Sequence, residues 1–216
     1  MRKALLCMSV SLPLLAVSAC NRQQETAQVE TPATATPTTP TPATQPRAGI
    51  MLDANATDAD KIASAMRAAP SNISQNATIF EMNADGTMRE LRKGTNAFSC
   101  MPDNPATPGP DPMCGDANGM EFVHAYLAKR TPPANKVGLL YMLEGGTDAS
   151  NTDPFATEPT ATNNWIKTGP HLMIVGAAKQ MAGYPRDAAP DTSMPYVMWP
   201  NTPYEHLMVP VPAPMG

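Results

Sequence analysis

The sequence predicts an α+β domain with a mostly antiparallel sheet, one or two helices and long proline-rich loops. Three observations carry this expectation. Short apolar or β-branched runs recur along the second half of the chain and just before it. Only two stretches repeat apolar residues at helical spacing. The connections are rich in proline, with 25 in 216 residues, about twice average usage. Hydrophobic residues make up 42%, enough for one core. The aromatic residues all lie at or after Phe80, which places a single globular domain at residues 48–216.

Each element has its own signal. Thr57, followed by Asp58 and Asp60, has the form of a helix N-cap with an acidic first turn. Ile62, Ala65, Met66 and Ala69 then form one face up to Pro70. Thr78 to Met82 and Thr87 to Leu91 flank the turn residues Asn83, Ala84, Asp85 and Gly86, a hairpin pattern. Thr95 to Cys100 reads as a third strand. Asp116 caps a helix running to Arg130, with Met120, Val123 and Leu127 on one side. Val137 to Leu143 is apolar throughout, as a central strand covered on both faces requires. Leu172 to Val175, Tyr196 to Trp199 and His206 to Val209 complete the strands. Met101 to Pro112 and Gly145 to Asn164 are long, polar and expected to be irregular.

The N-terminus carries an address. Arg2 and Lys3 precede a short apolar stretch from Ala4 to Ala16, and Val17, Ser18 and Ala19 stand before Cys20. Cation, short apolar segment and small residues are the physics of an export signal. This ending resembles the lipobox of bacterial lipoproteins. The resemblance implies removal of residues 1–19 and lipid modification of Cys20, the chain's link to a bilayer. Asn21 occupies the position where an aspartate favours inner-membrane retention, so the resemblance implies an outer-membrane location facing the periplasm. Residues 20–47 follow as a tether. Thr31 to Pro46 reads TPATATPTTPTPATQP, which can bury no apolar surface and favours extended polyproline II.

Charge narrows the classes. The full chain is −4, and loss of Arg2 and Lys3 leaves −6. That excludes a nucleic-acid binder working through a basic surface. It also denies an electrostatic grip on an anionic bilayer, leaving attachment to acyl chains.

Cys100 and Cys114 flank a run that cannot make regular structure. In an exported chain they are expected to form a disulfide closing a loop of about 15 residues, with Cα atoms about 4.4–6.8 Å apart. Soft-metal ligation through Met101 and Met113 is the alternative. The 16 methionines are read as flexible core filling, with Cu(I) handling as the sharper reading. Asp116, Asn118 and Glu121 fit a capped helix better than a calcium loop. G-x-S-x-G, H-E-x-x-H, Walker and G-x-G-x-x-G patterns are missing.

Two histidines sit in matched contexts, His171-Leu-Met and His206-Leu-Met. Strand alternation puts His171 with Met173, and His206 with Met208. If the strands pair in register, both imidazoles could share a metal, with Asp153 or Glu205 as third ligand or as an acceptor fixing a tautomer. Zinc would require both ring nitrogens within about 2.0–2.1 Å of one point. Otherwise each histidine hydrogen-bonds a loop carbonyl at a strand start.

The segments Gly94 to Asp103, Asp111 to Cys114, Tyr141 to Leu143, Asp148 to Pro154, Gly169 to Met173 and Pro203 to Met208 together resemble a family of exported bacterial proteins. That resemblance implies one globular domain and brings no activity or cofactor. Two functions stand. One is a non-catalytic envelope domain binding a small molecule or a protein partner. The other is a metal-binding protein or metal-dependent hydrolase using His171 and His206.

Overall fold

The computed structural model describes residues 49–83, 85–147 and 149–212; the signal segment and the tether lie outside them. The first helix, α1 (Asp58–Arg67), begins with a reciprocal cap: Asp60 N–H donates to Thr57 Oγ1, and Thr57 N–H donates to Asp60 Oδ2. A short α2 (Ser71–Ser74) follows. Next come β1 (Thr78–Met82) and β2 (Met88–Arg92), the expected hairpin, then β3 (Ser99–Met101) and β4 (Met113–Gly115). The third helix, α3 (Ala117–Leu127), is capped by Asp116, whose Oδ1 accepts from Gly119 N–H at 2.7 Å. It ends three residues before Arg130, because Lys129 turns left-handed at φ 51°.

The rest of the chain contributes β5 (Gly138–Met142), β6 (Ala149–Ser150), β7 (Trp165–Ile166), β8 (His171–Val175), β9 (Tyr196–Met198) and β10 (His206–Pro210). A 3-10 turn at Ala178–Met181 lies between β8 and β9. One eight-stranded sheet runs β2-β1-β3-β4-β5-β8-β10-β9, antiparallel except where β1 meets β3. The third strand is shorter than expected. The N–H groups of Thr95 and Asn96 bond Asn76 O, so the chain is still turning there.

Both sheet faces are covered. Over β1, β3 and β4, Ala65, Ala68 and Ala69 pack on Ile79, Cys100 and Cys114. Small helix residues let the helical backbone approach the strands. On the other face, Met120, Phe122 and Val123 of α3 join Leu140, Met142, Met173, Val175, Tyr196, Met198 and Met208. That contact depends on glycine. A Cβ on Gly138 would stand 2.2 Å from Gly119 N, so bare backbone lets α3 start directly on β5. Five methionines fill this core and Met181 fills a smaller one with Val197 and Leu207, whereas Met194 is exposed.

The disulfide between Cys100 and Cys114 is present and fully buried. Its Cα atoms are 3.9 Å apart, closer than expected. The cysteines stand directly opposite each other across β3 and β4, where antiparallel Cα atoms approach to about 4.5 Å. The stretch from Gly145 to Asn164 is less irregular than expected. Its β6 pairs with β7, and Ser150 and Asn151 are buried. Trp199 locks it. Its N–H donates to Asn151 O at 3.1 Å and its indole Nε1–H to Ser150 O at 2.8 Å, while its own backbone is left-handed at φ 53°. A bulky residue rarely adopts that conformation.

Candidate ligand-binding site

On the α3 face, β8 and β10 align Met173 with Met208, and β9 aligns Tyr196 with Met208. At one end of this row, the start of β8 and the end of β10 border a cavity of about 380 Å³. His171, Tyr196 and Met208 form its floor. Pro170, Pro210 and Val211 supply apolar walls, and Thr168, Thr192 and Ser193 supply hydroxyls.

His171 is placed by the turn before it. Gly169 and Pro170 bring the chain into β8 so that Gly169 O lies 2.7 Å from His171 Nδ1. A carbonyl only accepts, so Nδ1 carries the proton and Nε2 holds the lone pair. Burial lowers the pKa of this imidazole, opposed by the Gly169 hydrogen bond. The ring is therefore neutral near pH 7. Tyr196 is also buried, its hydroxyl has no hydrogen-bond partner among the described residues, and burial raises its pKa. A buried hydroxyl without a partner is costly and uncommon.

The metal centre expected of His171, His206, Asp153 and Glu205 does not assemble. The two imidazoles share one sheet face through the pairing of β8 with β10. However, Pro210 stands opposite His171, and Leu207 stands opposite Ile174. His206 is thus level with the far end of β8, about 13 Å along the strand from His171 at roughly 3.3 Å per residue. His206 Nδ1 is 2.9 Å from Tyr204 O, the loop-carbonyl arrangement that was the alternative. Its ring packs edge-on against Phe122 and Trp199. Burial is the main cause that lowers its pKa to about 4, with a charge on His171 acting in the same direction. Glu205 accepts from Arg186 and from Asn201 N–H, and Asp153 accepts from Phe155 N–H. Among the described residues, no group of three or more His, Cys, Asp or Glu side chains could hold a metal ion. An antiparallel pairing causes this: two residues at equivalent starts of antiparallel strands lie at opposite ends.

A second polar centre escaped the sequence reading. Within the disulfide-closed loop, Asp103 accepts from Leu52 N–H at 2.7 Å and from Asp111 N–H at 2.8 Å. Asp111 accepts from Asn104 N–H at 2.8 Å and from the hydroxyls of Thr107 at 2.9 Å and Thr147 at 3.2 Å. Burial pushes the Asp111 carboxyl up to about 6, and the Asp103 charge adds to that; the bonds from Asn104 and Thr107 oppose it. The only sequence signal was two aspartates bracketing a proline-rich run.

Comparison with protein-family models, with curated proteins and with solved structures finds no match.

Proposed function

We propose that the chain is an envelope lipoprotein whose domain binds a small ligand without transforming it. Acylated Cys20 attaches it to the bilayer, the Thr31 to Pro46 tract spaces it, and the domain presents the His171 cavity to the periplasm. The lipobox residues and the composition of the tether support the anchored part. One observation supports the binding part: a cavity of small-molecule size that joins a buried neutral imidazole to hydroxyls and apolar walls. Binding is preferred to turnover because Ser193 is not activated. Its Oγ donates to Asp191 Oδ1 at 2.6 Å rather than to an imidazole, and hydrogen bonding from Ser193 lowers the pKa of that carboxyl, which leaves it a weak base.

Fractionation tests the anchor. Cys20→Ser is expected to move the protein from the membrane fraction to the soluble periplasmic fraction. A variant that stays with membranes after a high-salt wash refutes the acyl attachment.

A further inference from the structure

We propose that the His171 cavity selects an uncharged aromatic alcohol whose O–H donates to His171 Nε2 and whose ring lies against Met208 and the proline walls. This rests on the reading of the cavity as a ligand site and names the ligand's chemistry.

Three observations lead to it. First, among the described residues no Asp, Glu, Lys or Arg lines the cavity. An ionised ligand would leave water with no opposite charge to meet it, a cost that neutral ligands avoid. Second, the floor has a fixed polarity. Gly169 O holds the proton on Nδ1, so Nε2 offers a lone pair and calls for a donor. A ligand hydroxyl suits this place better than an ether, because only the hydroxyl donates. Third, the remaining surface is Met208 with Pro170, Pro210, Val211 and Pro212. A thioether makes favourable contacts with aromatic rings, and the rigid prolines present flat apolar faces at no side-chain entropy cost.

The cavity's size fits a two-ring compound, so 2-naphthol is the probe. Its methyl ether, 2-methoxynaphthalene, keeps the ring and removes the donor. 2-Naphthoate keeps the ring and adds a charge. The full chain, labelled at methionine methyls and histidine nitrogens, is titrated with each and followed by NMR. With three histidines in the chain, the His171 resonances are assignable from one variant. The expected result is that 2-naphthol shifts both the Met208 methyl and His171 Nε2, binds at least tenfold tighter than the ether, and excludes naphthoate from the site. His171→Gln is expected to change the tenfold preference; the wild-type nitrogen shift decides the matter even if that variant folds poorly. Equal affinity for 2-naphthol and its ether, or tightest binding of naphthoate, overturns the alcohol assignment while leaving the cavity a ligand site. If none of the three moves the Met208 methyl, the alcohol assignment and the reading of the cavity as a ligand site both fall.

Discussion

Two buried groups of opposite character make the domain's stability respond to pH in opposing ways. His206 is fully enclosed, and its pKa falls from 6.5 to about 4. Between those values the unfolded chain binds a proton that the folded chain refuses. Stability is therefore complete above pH 6.5 and is lost as the pH falls towards 4. At 1.36 kcal/mol per pH unit, this amounts to about 3 kcal/mol between pH 7 and pH 4. His171 is lowered too and acts in the same direction. Asp111 does the reverse. Its pKa rises from 3.8 to about 6, so in that window the folded chain holds a proton that the unfolded chain has released. Its contribution is present below 3.8 and is lost as the pH rises through 6, which returns about 2 kcal/mol on acidification to pH 4. In the wild-type domain Asp111 offsets only part of the acid destabilisation, because His171 and the carboxyls of Asp58, Asp60, Glu81, Asp85 and Asp191, all with lowered pKa values, act in the same direction as His206. Asp111→Asn keeps the shape and removes the titration. Urea unfolding of wild type and Asp111→Asn at pH 7 and pH 4 is the assay. The variant is expected to lose about 2 kcal/mol more than wild type over that range, since groups common to both cancel. His206→Gln should shift the response the other way by about 3 kcal/mol. Difference curves that stay flat within about 0.5 kcal/mol would mean that neither group is held in its buried neutral form, and the reasoning fails.

Two further outcomes test the architecture. Reducing the Cys100–Cys114 bond releases a loop of about 15 residues and is expected to cost about 3 kcal/mol in urea unfolding; a loss below about 1 kcal/mol would show that the Asp103 and Asp111 hydrogen bonds close the loop unaided. Gly138→Ala forces a methyl to within 2.2 Å of Gly119 N and should destabilise by about 3 kcal/mol in thermal unfolding, whereas Gly169→Ala, with no atom within 4 Å, should change little; equal melting of the two variants would refute the close seating of α3 on β5.

Much of this fold was legible in the chain because its cause is local. Thr57 and Asp116 cap helices through bonds to residues three positions on, and those signals need no tertiary partner. Apolar continuity over Val137 to Leu143 marked β5 because both its faces are covered, and alternation along β8 set His171 on the same face as Met173. The cysteine pairing was expected of two cysteines flanking a run that cannot make regular structure, with soft-metal ligation as the alternative, and the disulfide is present.

What the sequence could not determine is register and orientation. β4 has three residues and no pattern of its own; it exists because Cys114 is held against Cys100 and Tyr141. The antiparallel pairing of β8 with β10 carries His206 to the far end from His171, and no local signal encodes that direction. That pairing dissolved the expected metal centre and, in its place, brought His171 beside Tyr196 and Met208, residues 25 and 37 positions later in the chain. Periodicity assigns a side chain to a face, because it depends on the backbone of one strand. Which side chains share a cavity depends on how separate strands align, and that is decided by the whole core at once.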